Sequence, residues 1–179
     1  MAATTVKSTL ITNLEAAPKV YADSVQTGGG LRVLAVTTPV ATTSIDDVGD
    51  IVLLAPIPFN AKVLRMELFN DDLDSNGAPT IAVDVGLYYG NDVRGQTSGT
   101  LISAGAYATA ITTLNAANTL GVNIANEARD IIKIGVNRVF QDAGLTSDPG
   151  GNAYIGMKVT AVAATAAAGD VTLVVHYTM

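Results

Sequence analysis

DIVLLAPIPFNAKVLRMELFNDDLDSNGAPTIAVDVGLYY, residues 50–89, decides the fold class. Along it Leu64, Met66 and Leu68 fall on one side of an extended chain, with Arg65 and Glu67 on the other. Beyond a cluster of Asp, Asn, Gly and Pro, residues Ile81, Val83, Val85 and Leu87 alternate with Ala82, Asp84 and Gly86. Side chains of a strand point alternately to its two faces, so period 2 on both sides of a turn cluster predicts an antiparallel hairpin with one buried face. The class is mainly β.

Working outward, residues 31–36 and 50–55 read as strands. Pro39, Pro56 and Pro58 cannot donate to a sheet ladder and belong at strand ends or sheet edges. GNDVRGQTSG, residues 90–99, is a loop by composition. Residues 154–162 and 171–178 predict a second hairpin, with Val171, Leu173, Val175 and Tyr177 on one face and an Ala-rich connection at 163–169. Two helices are expected. Residues 103–114 space Tyr107, Ile111 and Leu114 at helical intervals. Residues 126–143 carry an apolar stripe of Ala128, Ile131, Ile132, Gly135, Val136, Val139, Phe140 and Ala143, with Asn126 as N-cap. Gly144 followed by Leu145 has the form of a helix-ending glycine and its hydrophobic closing residue.

The chain has 179 residues, enough for one core-bearing domain over residues 31–179. Residues 1–30 have no clear period and end in Gly28-Gly29-Gly30. Val6, Leu10, Ile11, Leu14, Val20, Tyr21 and Val25 make this stretch too apolar for a free tail, so it is expected to be an extended arm lying on a neighbouring subunit. Charged residues are only 15% of the chain, against a usual ~25%, which fits a surface partly covered by other subunits.

Net charge is −6, and the ten Lys and Arg residues are scattered with no two adjacent. Displacing counterions from phosphates needs clustered cations, so nucleic acid is not an expected partner. An acidic chain is also repelled by anionic lipid, and no membrane partner is expected. The absence of Cys removes disulfides and thiolate chemistry. The first residues show no secretory leader, and no run approaches ~18 apolar residues, so the chain is expected to be soluble and made in the cytoplasm.

Asp72, Asp74 and Asn76, followed by Gly77, match the first half of a calcium loop, in which alternate oxygen ligands precede a sharp turn. The bidentate Glu required at the twelfth position is Val83, and Asp, Asn and Gly are also the ordinary residues of a turn. The reading is therefore a turn, with these three residues as a weak cation candidate and no cofactor expected. His176, the one histidine, sits in the last strand without a nucleophile or carboxylate motif beside it. Glu67 and Asp84 could oppose one another across the central hairpin, as a glycosidase pair would. A chain with no Trp and 5% aromatics lacks the rings that grip sugars. No catalytic residue is expected.

The order of features resembles tailed-phage head structural proteins of the capsid decoration or cement type. Residues 7–18, KSTLITNLEAAP, are similar to the arm of such chains. Residues 55–74 and 83–90 are similar to their core strands, residues 130–150 to their helix and its Asp-Pro exit, and VTLVVHYTM to their final strand. The exit here reads Ala143-Gly144-Leu145, a slight departure. The resemblance implies an antiparallel β-sandwich, jelly-roll-like, with one or two short helices. It implies a virion protein, without enzymatic activity, on the outer surface of the phage major capsid protein shell, reinforcing contacts between capsomers. Val6, Leu10, Ile11, Leu14, Val20 and Tyr21 would form the capsid or subunit interface, and the protein would be a homo-oligomer, dimer or trimer. The alternatives are a tail, baseplate or fibre-attachment component, and a small carbohydrate-binding β-sandwich.

Overall fold

The computed structural model describes residues 30–179. The expected arm, with its interface residues Val6, Leu10, Ile11, Leu14, Val20 and Tyr21, lies outside the described residues except for Gly30.

Eight strands form two four-stranded antiparallel sheets. They are β1 (Arg32–Val40), β2 (Ile51–Pro58), β3 (Lys62–Asn70), β4 (Ala82–Tyr89), β5 (Leu101–Ile111), β6 (Asn118–Asn123), β7 (Asn152–Ala161) and β8 (Gly169–Thr178). One sheet has the order β1-β8-β3-β6 and the other β2-β7-β4-β5. Consecutive strands change sheet at every step except β4 to β5, which is the strand order of a jelly roll. The mainly β, sandwich-like expectation holds.

That alternation corrects the hairpin readings. β3 and β4 lie in opposite sheets, so residues 50–89 hold no central hairpin, and β7 and β8 are likewise split. Period 2 reports that one face is buried; it does not report which strand lies alongside. The buried faces were read correctly apart from Leu64, with Tyr177 of the β8 face half-buried against the core. Met66 and Leu68 are buried, as are Val83, Val85, Leu87, Val171, Leu173 and Val175. Leu64 is only half-buried. Val63 pairs with Tyr177 and Arg65 with His176, so Leu64 is the extra residue of a bulge that turns Val63 inward in its place.

The proline expectation holds. Pro39 is in β1 and Pro56 and Pro58 are in β2, each an edge strand. Both helix expectations fail for most of their length. Residues 103–114 are largely β5. Its period is broken because Val85 pairs with Ala108 but Leu87 with Ser103, which forces a wide bulge over β4. Ala110 is held at φ 50 beside it, where its N–H reaches the Asp84 carboxylate at 2.8 Å. The apolar residues of this bulged strand therefore fell at helical intervals without a helix.

Between 126 and 143 only Val139–Asp142 is helical, here α1, after a 3₁₀ turn at Ile131–Lys133. Gly135, at φ 68, breaks the stretch. Asn126 does not cap a helix; its side-chain oxygen accepts from Arg129. The helix start is fixed from outside, by Val139 N–H donating to Ala61 O (2.8 Å) and Phe140 N–H to Phe59 O (3.1 Å). Its end is as read. Gly144 has φ 80, its N–H meets Gln141 O, and Leu145 N–H meets Phe140 O, a Schellman closure.

Gly86 is the tightest point. It pairs with Gly156 across β4 and β7, and a Cβ placed on it would stand 2.1 Å from the carbonyl oxygens of both Ser103 and Ala104. Those atoms belong to the backbone of the β5 bulge and cannot rotate aside. Gly86→Ala is expected to destabilise the protein by about 2 kcal/mol through overpacking, measured by urea unfolding; an unchanged midpoint would mean the bulge yields freely.

Candidate assembly surfaces

The turn cluster of residues 71–80 crosses from β3 in one sheet to β4 in the other, beside the Ala-rich crossover from β7 to β8. Asp74 joins them. Its carboxylate is buried and accepts four backbone N–H groups. Thr80 (2.7 Å), Ile81 (3.2 Å) and Ala164 (2.9 Å) donate to Oδ2, and Thr165 (2.8 Å) donates to Oδ1. Burial raises its pKa, but the four amides together outweigh burial and bring it down to about 2. Asp72, exposed, caps the turn by accepting Asp74 N–H at 3.1 Å. Asn76 accepts Ala78 N–H and donates to Thr165 Oγ1. The three candidate cation ligands are thus engaged in closing the turn and tying it to the neighbouring crossover. Nothing in the sequence marked Asp74 apart from its neighbours, because two of its four amide partners, Ala164 and Thr165, lie some ninety positions away.

A second buried charge was also missed. Arg129 and Asp142, whose side chains are 3% and 1% exposed, form an ion pair at 2.8 Å. Arg129 also donates to Val63 O and Asn126 Oδ1, and its guanidinium lies 5.6 Å from the Tyr107 ring centre. Burial raises the Asp142 pKa and the Arg129 charge beside it only partly offsets this. Burial, with Asp142 second, pushes the Tyr107 hydroxyl above its usual range. The pair borders a polar pocket of about 210 Å³ lined by Ser103, Gly105, Lys133 and Asn137 among others, with two residues of each charge sign.

The carboxylate pair suggested by sequence does not form. Glu67 and Asp84 are in opposite sheets; Glu67 pairs with Arg65 at 2.6 Å and Asp84 accepts Ala110 N–H. His176 stands in β8 between Val33 of β1 and Arg65 of β3. Among the described residues no three His, Cys, Asp or Glu converge on a metal position, and no helix is long and apolar enough to cross a membrane.

What the chain does offer is apolar exposed sheet. On the outside of the β2 sheet, Ile51 and Leu53 are exposed, and the Tyr88 ring covers Gly156 beside Leu53. Burial first, and Asp84 second, raise the Tyr88 pKa to about 12. On the other sheet Val33 is exposed in β1, and Leu120 and Val122 in β6. Leu120 is 91% exposed, the most of any large apolar residue described.

No protein-family model and no curated protein matches the chain. Two solved phage capsids contain chains of this fold. One, in the capsid asymmetric unit of cyanophage Pam1, aligns at TM-score 0.56 and 23% identity over 85% of this chain and 86% of that one. The other, in the capsid of Ralstonia phage GP4, aligns at TM-score 0.57 and 25% identity over 84% and 85%. Near-equal coverage of both partners means chains of near-equal length. The resemblance to phage head structural proteins read from residues 7–18, 55–74, 83–90 and 130–150 is met by neighbours from phage capsids.

Proposed function

We propose that this chain is a structural virion protein that binds the outer surface of a phage major capsid shell and reinforces contacts between capsomers, with residues 1–30 as an arm that docks on a neighbour. The observation that carries it is the fold likeness, over most of both chains, to chains of two phage capsids. The surface supports it. The work of such a protein is done by area rather than by a pocket, and apolar residues stand exposed on both sheets. The missing carboxylate pair and the unassisted His176 favour a structural role over an enzymatic one. Its partners are the major capsid protein and further copies of itself, as a dimer or trimer, on the virion exterior.

The test is co-sedimentation with undecorated shells. The full chain is expected to pellet with shells in a saturable, stoichiometric ratio to the major capsid protein. A chain lacking residues 1–30 is expected to keep its β circular dichroism and bind more weakly. Equal binding by both forms rejects the arm. No binding by either rejects the shell assignment in favour of a tail or baseplate location.

A further inference from the structure

Four strands form the edges of the two sheets, and three of them are doubly protected. An open edge strand templates pairing with another chain, and proteins block it with proline, charge, bulges or cover. β1 carries Arg32 and Pro39, β2 carries Pro56 and Pro58, and the two lie against one another. β5 is bulged and covered: Ala128 N–H donates to Tyr107 O at 2.8 Å, and Glu127 Oε2 accepts Thr109 N–H at 2.6 Å. β6, NTLGVN, is bulged where it pairs with β3, with Gly121 at φ 76, but lacks the other devices. It contains no charge and no proline, pairs with β3 on one side, and has no described strand on the other. It also displays Leu120.

We infer that the free edge of β6 takes residues 8–14 of a second copy of this chain as a fifth strand of its sheet. This rests on the arm reading above and names its docking place. STLITNL, residues 8–14, is uncharged, free of Gly and Pro, and rich in Thr, Leu and Ile, the composition of a strand that adds to an open edge. The arm enters the domain at β1, the opposite edge of the same sheet from β6. Residues 15–31 can span up to roughly 55 Å when extended, several times the ~14 Å width of a four-stranded sheet. When the β6 edge of one copy faces the β1 edge of the next, the arm meets it directly; to reach its own β6 it must recross three strands. Contacts of this head-to-tail kind close into a ring when the rotation allows, as in a trimer. Leu120 then becomes the buried apolar contact of the joint.

The chain has no Cys, so engineered thiols report without background. Leu120→Cys protein is mixed with full-length chains carrying Leu10→Cys, Ile11→Cys or Thr12→Cys in turn. Oxidation is expected to give a covalent heterodimer with at least one of these, well above the yield with Val48→Cys, which is exposed in the β1–β2 loop. In the otherwise native chain, Leu120→Lys is expected to weaken self-association about tenfold or more, the loss of one buried leucine contact, without changing thermal unfolding of the exposed site. No cross-link in any mixture, or a yield no higher than with Val48→Cys, overturns the inference. Failure of cross-linking while full-length chain still pellets with shells overturns the edge assignment and leaves the shell reading; cross-linking without pelleting does the reverse.

Discussion

Arg129→Leu is expected to cost about 3–5 kcal/mol at neutral pH, because it strips the countercharge from a carboxylate with no other cation at bonding distance among the described residues. Asp142 is 1% exposed and accepts from Arg129 at 2.8 Å. Its pKa is already raised by burial with the arginine in place, and without it the carboxyl will hold its proton still more firmly. The sign of the pH dependence follows. A carboxyl whose folded pKa lies above its unfolded value penalises folding at high pH, and the penalty fades as pH falls toward the unfolded value. The Arg129→Leu protein should therefore regain stability, relative to the native chain, on going from pH 7 toward pH 4. The double variant Arg129→Leu with Asp142→Leu should recover most of the loss at pH 7, since an apolar pair in a buried site is often as stable as the ion pair it replaces. Urea unfolding of the three proteins at two pH values decides it. A single variant as stable as the native chain would show that water reaches Asp142.

Asp74→Ala should cost about 3 kcal/mol, with the opposite pH dependence. The substitution leaves four amides, from Thr80, Ile81, Ala164 and Thr165, without the acceptor they share. Asp74 has a folded pKa of about 2, below its ordinary value. Such a group contributes stability that is present above the unfolded pKa and lost as pH falls through the folded one. The gap between native and Asp74→Ala proteins should thus hold from pH 7 to about 4 and narrow between about 4 and 2. Asp74→Asn keeps one acceptor oxygen and should fall between them. The readout is unfolding midpoint against pH, and a gap that does not narrow in acid would mean the amides are bound by something other than the charge.

The buried faces were legible because alternation is a local property: Met66 with Leu68, and Val171 with Leu173 and Val175, declare their inward side within a few residues. Pairing was not, because the partners of these strands are chosen by crossovers far along the chain. Proline placed the edges and Gly144 with Leu145 placed the helix end, since both act through their own backbone geometry. The helix readings of 103–114 and 126–143 failed where a bulge disrupted period 2 and where apolar residues sat at helical spacing in a segment pinned from outside by Ala61 and Phe59. The Asp74 and Arg129 contacts were invisible because nothing about a lone Asp or Arg announces burial. The uncharged composition of residues 118–123 was a readable signal of an open edge, but only once the segment was known to be a strand.

The strand order also sets a schedule for making the protein. Among the described residues β1 pairs with β8 alone, through residues that lie between 129 (Val40 to Gly169) and 145 (Arg32 to Tyr177) positions apart. At ~5–20 residues per second, a ribosome that has finished β1 needs roughly 7–30 s to supply its partner. Through that interval β1 waits unpaired, and β3 has only the short β6 to lean on. In a crowded host, nascent neighbours on the same message pass through the same unprotected stage together, so pairing between chains competes with completion of each one.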